Sequence, residues 1–153
     1  MRIAIGSDER TALTDHLVAR VRELGHAVQP LGPLADAAMQ WPEVGATVAR
    51  RVASGTADEG IVCCWTGTGV SIAANKVPGI RAALCADAET ARGARRWNRA
   101  NVLALSLRLT TPAVADEILE AWFGTALGTD PDELACVARI DGWAAVAPAS
   151  ERA

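Results

Sequence analysis

Apolar residues fall along this chain in two alternating patterns: short continuous runs, and longer stretches where they recur every three or four positions. The runs are Arg2 to Gly6, His26 to Leu31, Gly60 to Cys64, Ile80 to Cys85 and Asn101 to Leu105. Each is too short for a helix and is bounded by turn residues, so each reads as a strand buried on both faces. Periodic stretches separate them. In Glu9 to Leu24, the apolar Leu13, Leu17, Val21 and Leu24 share one face, and Gly25 closes the helix. Gly32-Pro33 breaks the second run, and Pro42 to Ser54 reads as a helix with Pro42 in its first turn. Val70 to Val77 and Ala88 to Arg96 read as helices, and Thr110-Thr111-Pro112 opens a last long one to about Phe123.

Strands alternating with helices predict a parallel sheet covered on both faces. The fold expected is a three-layer α/β/α Rossmann-like sandwich with a five-stranded parallel sheet. Beyond Gly128 the pattern changes. Asp130-Pro131-Asp132-Glu133 looks like a helix start, continued by Leu134, Val137 and Ile140. Residues 1–143 are read as a single domain with a C-terminal helical segment at 128–143. The Ala- and Pro-rich stretch 144–153 is expected to fray.

Composition narrows the function classes. A chain of 153 residues suits one domain with a real core. Its net charge of −3, with no basic run, argues against a nucleic-acid partner. No apolar span approaches the ~20 residues a membrane helix needs. Ile3-Ala4-Ile5 is too short for the apolar region of a secretory leader, and four cysteines without regular spacing do not form a disulfide framework. A cytoplasmic protein without metal or cofactor is the expectation. Cys63 and Cys64 would point to opposite faces of a strand, and only His16 and His26 could join them.

The chemistry gathers at Cys64-Trp65-Thr66-Gly67-Thr68-Gly69-Val70, where an apolar strand stops at a thiol, turns tightly and starts a helix. Unpaired N–H groups at such a turn favour negative charge, and a helix N-terminus favours a thiolate. Beside them a thiol and a hydroxyl supply a base and a donor. Packing alternatives exist: a buried cysteine at a strand end, a helix cap for Thr66, a solvated loop for Asp8. Ligands on parallel sheets bind beyond the carboxyl ends of the strands, where Asp8, Cys64, Trp65, Thr66, Asp87, Ser106 and Arg108 fall.

The run from Cys64 to Leu84, with Ser71-Ile72-Ala73-Ala74-Asn75-Lys76 at its centre, resembles the signature of the ribose-5-phosphate isomerase B family. That family includes the subunits of galactose-6-phosphate isomerase. Ile3-Ala4-Ile5-Gly6-Ser7-Asp8 and Asn101 to Leu105 match as well, so the resemblance runs from Met1 to about Phe123. It implies an aldose–ketose isomerase of a small sugar or sugar phosphate, moving a proton between C1 and C2 through an enediolate. By the resemblance Cys64 is the base and Thr66 polarises or protonates the sugar oxygen. Gly67, Thr68, Gly69 and Val70 form the anion-binding turn. Asp8 meets sugar hydroxyls, Asn98 hydrogen-bonds the substrate and Arg108 stands near a phosphate. The C-terminal helix would pack on a neighbouring subunit, giving a homodimer or a dimer of dimers with sites completed by the partner.

The chain also departs from that family. Glu9 stands where histidine is usual, and Trp97 replaces the ring-opening histidine, which an indole cannot replace as a proton shuttle. The acidic Asp130 to Glu133 stands where the family carries arginines. Trp65 replaces a loop glycine, and Trp41 stands where tyrosine is common. Three indoles near one pocket imply a smaller, more apolar site. A tetrulose 4-phosphate, which cannot close a furanose ring, fits these changes; so does an unphosphorylated or differently charged sugar. A non-catalytic partner subunit or sugar-binding protein of the same family is the alternative.

Overall fold

The computed structural model describes residues 1–144; the expected frayed tail lies outside them but for Ala144. Five strands form one parallel sheet: β1 (Arg2–Ser7), β2 (Ala27–Leu31), β3 (Glu59–Cys64), β4 (Ala82–Leu84) and β5 (Val102–Ser106). Their order across the sheet is β2-β1-β3-β5-β4. The helices are α1 (Ala12–Glu23), α2 (Trp41–Ala53), α3 (Thr68–Ala74), α4 (Ala88–Asn98), α5 (Pro112–Gly124) and α6 (Pro131–Ala144). The expected α/β sandwich is present. No helix among the described residues is long and apolar enough to cross a membrane.

The strands' alternation sorts the core into two unlike halves. Ile3, Ile5, Ile61, Cys63, Leu103 and Leu105 point to one face and pack under α1, α4 and α5. Ala4, Val62, Cys64, Val102 and Ala104 point to the other, under α2 and α3. Large side chains therefore fill the first interface and small ones the second. The small-residue face lets α2 lie close to the sheet: a Cβ on Gly60 would stand 2.6 Å from a methyl of Val48. A Cβ on Gly45 would stand 2.7 Å from the Val70 carbonyl, so α2 also presses on α3. The adjacent cysteines do face opposite ways.

Element ends differ from expectation where side chains intervene. α1 starts at Ala12 because Thr11 and Thr14 form a reciprocal capping box. α3 stops at Ala74, short of Val77, since Lys76 and Val77 donate to Ala73 and Ala74 in tighter turns before Pro78. β4 begins only at Ala82 because Asn101 and Asn75 side chains accept from Arg81 and Ala82 N–H. α4 runs two residues further than expected, taking Trp97 and Asn98 into its last turn, and ends at Arg99 in the left-handed region (φ 48°).

At the N-terminal edge of β3 lies a buried polar cluster with no local sequence signal. Arg95 pairs with Glu59 at 2.7 Å, the two side chains being 8% and 11% exposed. The Trp122 indole N–H donates to the other Glu59 oxygen at 2.6 Å, and the Arg95 guanidinium sits 4.9 Å from the Trp122 ring centroid. Arg95 also donates to the Ala100 carbonyl at 2.7 Å. One cluster thus ties β3 to α4 and α5.

Candidate active site

The strand order decides where a ligand can enter. From β1 the chain moves outward to β2, then returns to place β3 on the other side of β1. Connections leave β1 and β3 in opposite directions, which opens a crevice at their carboxyl ends. Asp8 follows β1 and Cys64 ends β3, so both stand on that crevice. A cavity of about 300 Å³ lies there, lined by Asp8, Trp41, Cys64, Trp65, Thr66, Thr68 and Gly69.

The turn after β3 is pinned by its carbonyls. Cys64 C=O accepts from the Gly67 N–H at 3.2 Å and the Leu107 N–H at 3.0 Å. Trp65 C=O accepts from the Ser106 hydroxyl at 2.9 Å and the Arg108 N–H at 3.0 Å. Gly67 takes φ 75°, and a Cβ there would stand 2.9 Å from the Leu105 carbonyl, so only glycine fits the turn. Ser71 N–H makes the first helical bond, to Gly67 C=O. The N–H groups of Thr68, Gly69 and Val70 precede it and have no intrahelical acceptor.

Two site residues have distinctive chemistry. Asp8 Oδ1 is buried without a hydrogen-bond partner. Burial, and to a smaller extent the charge of Glu9, raise its carboxyl above the ordinary carboxylate value. The raised value means the folded state holds the Asp8 proton more tightly than the unfolded chain. Ionisation of Asp8 therefore opposes folding as pH rises above the carboxylate range. Asp8→Asn is expected to gain thermal stability relative to the parent as pH rises from about 3 to 7, which paired melting curves would measure. Thr66 is the second. Its hydroxyl lies 2.7 Å from that of Thr68, and the N-cap of α3 is Gly67 with no side-chain cap bond. The capping alternative for Thr66 is thereby overturned, and both hydroxyls stay at the cavity.

Cys64 is buried with its side chain on the cavity wall. Cys63 is fully buried on the opposite face, and its thiol is pushed up to about 12, chiefly by burial. Among the described residues no group of three His, Cys, Asp or Glu is placed to hold a metal.

Several expected site residues lie elsewhere. Val70 is fully buried in the α2–α3 core, so only its backbone can serve a ligand. Glu9 is exposed and points its N–H at Ser7 Oγ, outside the cavity lining. Arg108 is exposed and reaches the site only through its backbone bond to Trp65. Trp97 and Asn98 are furthest removed. They end α4 at the opposite edge of the sheet, where Arg81 Nε donates to the Asn98 carbonyl. Trp97 packs over Gly93 and lines a separate cavity with Leu84 and Thr90. Helices run antiparallel to the strands, so the end of α4 cannot face the end of β3 in one chain. Of the three indoles expected at one pocket, only Trp41 and Trp65 line the cavity. For Trp41, the position just before Pro42 was the available signal.

Comparison with known proteins places this geometry. Residues 3–138 match the family model described as Ribose/Galactose Isomerase. The chain is 40% identical over 128 residues to DNA damage-repair/toleration protein DRT102 of Arabidopsis thaliana, covering 82% of this chain but only 40% of that protein. It is 38% identical over 130 residues to D-erythrulose-4-phosphate isomerase of Pectobacterium atrosepticum, covering 80% of this chain and 82% of the relative. The solved type B ribose 5-phosphate isomerase of Trypanosoma brucei superposes with a TM-score of 0.87 at 41% identity, covering 93% and 97% of the two chains. Matched along most of its length by family model, sequence and fold, this chain is an isomerase and belongs to the Ribose/Galactose Isomerase family.

Proposed function

We propose that the protein interconverts an aldose and a ketose form of a small sugar phosphate, with Cys64 as the proton-transferring base. One observation carries this reading: a thiol, paired hydroxyls and a carboxylate with an unpartnered oxygen meet on one cavity at the β1–β3 crevice, where α3 begins. The Cys64 thiolate removes the proton from C2 of the aldose, and the electron pair passes to the C1 carbonyl oxygen as an enediolate forms. Returning a proton from the thiol, which exchanges with solvent, to C1 while the O2 proton moves to O1 gives the ketose. The Thr66 hydroxyl donates to the oxygen on which charge develops, and the N–H groups at 68–70 supply further donors.

Asp8 fits the sugar hydroxyls, which would satisfy its buried oxygen. Asp8→Asn is expected to lower kcat/KM about 10–100-fold, since hydrogen bonds to charged groups are worth about 1.5–3 kcal/mol. A steady-state assay on the same preparations used for melting would separate this loss from the stability gain. Trp97 and Asn98 can serve the site only from a second copy. The exposed Leu134, Ile140 and Trp143 of α6 suit contact with such a copy, giving a dimer or a dimer of dimers.

A panel of four-, five- and six-carbon aldoses and ketoses, phosphorylated and free, tests the reading. Turnover of a phosphorylated member, absent for its free form, is expected. A well-folded protein inactive across the panel would favour the partner-subunit alternative.

A further inference from the structure

We infer that Trp41 and Trp65 measure the carbon chain of the substrate, favouring a four-carbon sugar phosphate over a five-carbon one. The inference rests on the isomerase reading of the same cavity. Two large indoles stand exposed on one small site, Trp41 at 42% and Trp65 at 59%. A single exposed aromatic residue is ordinary. Two on one cavity are not.

The backbone that presents Trp65 is pinned, because its carbonyl accepts from both Ser106 and Arg108. Trp41 opens α2 and lies flat on the first turn of α3, where a Cβ on Gly69 would stand 2.9 Å from its Cε3 atom. Gly69 thus admits the ring, and the ring closes that side. Beside the indoles the cavity is lined by the exposed Thr66 and Thr68, with the half-buried Asp8 and the buried Cys64 deeper. None of the described lining residues is a lysine or arginine.

That arrangement sorts the ends of a sugar phosphate. C1 and C2 must reach Cys64, and the hydroxyls meet Asp8 and the threonines. A phosphate dianion is repelled by Asp8 and gains nothing against an indole face, so it stands beyond the indole rim. The space between Cys64 and the two indoles therefore limits the carbons that fit. At about 300 Å³ the cavity lies at the lower end of the ~300–1,000 Å³ usual for small-molecule sites. Sugar C–H groups packing on the indoles reward a chain that fits and exclude one carbon more.

The test uses the full chain and its Trp65→Ala and Trp41→Ala variants. Calorimetry would compare the four-carbon and five-carbon phosphorylated aldonates, which lack a carbonyl to isomerise. Rates on the matching ketose phosphates would be taken alongside. The wild type should prefer the four-carbon compounds at least tenfold. Either variant should shift that ratio toward five carbons, within the ~10–200-fold that one carbon commands in a tight pocket. A ratio unchanged within threefold in Trp65→Ala, a wild type preferring five carbons, or one binding neither aldonate would overturn the inference. Binding ratios that shift in a wild type and variants that never isomerise would instead remove the isomerase reading and leave the length selection standing.

Discussion

Cys64→Ala is expected to lower kcat by about 10²–10⁴-fold, the range that a positioned acid–base group contributes, while KM moves less than tenfold. Cys64 ends β3, and its side chain is buried within the small-residue core and open to the cavity on one side. Removing the sulfur leaves Asp8, the two threonines and both indoles in place, so binding should persist while proton transfer fails. Cys63 supplies the control from the next position. Its thiol is fully buried on the other face and held up to about 12 by that burial. Cys63→Ala should therefore keep kcat within about threefold, at some cost in stability from the lost core volume. Iodoacetamide should inactivate the parent through Cys64, and substrate should protect. Wild-type turnover by Cys64→Ala would end the role assigned to this thiol.

Glu59→Ala is expected to destabilise the fold by about 3–5 kcal/mol, the cost of stripping one partner from a buried ion pair. Arg95 would be left buried and charged, and the Trp122 N–H would lose its acceptor. Against a typical total of about 5–15 kcal/mol that is a severe loss. Replacing both partners with apolar residues, as in Glu59→Leu with Arg95→Met, should recover much of it, because no charge is then stranded. Urea unfolding at one fixed protein concentration, which controls for association, would measure both. A single-variant loss below 1 kcal/mol would show that the cluster is not held as described. The cluster stands at the edge of the sheet away from Cys64, so the folded single variant should keep its KM.

How much of this was legible from the chain differs from element to element. The three central strands were readable because both their faces are buried, which leaves continuous apolar runs such as Ile61 to Cys64, whereas the edge strands β2 and β4 are only partly buried. Cys64, Thr66 and Asp8 were readable because residues just past a parallel strand share one edge, whatever the strand order. Trp97 and Asn98 do not reach the cavity of their own chain for the converse reason: they end a helix, and helix ends return to the opposite edge. The family resemblance supplied those residues without saying which chain presents them. Val70 misled in another way, since a residue in an anion-binding turn can offer its N–H while its side chain goes to the core. Glu59, Arg95 and Trp122 carried no sequence signal, because only the folded packing of β3, α4 and α5 brings them together.

Proton exchange at the reacting carbons tests the central claim most directly. The protein would be incubated in deuterated water with a four-carbon ketose phosphate and its aldose partners, and deuterium followed at C1 and C2 by NMR. Interconversion with deuterium gained at those two carbons alone is expected from the parent and from Cys63→Ala, and neither event from Cys64→Ala. Isomerisation without any solvent deuterium in the parent, together with full activity in Cys64→Ala, would contradict the claim.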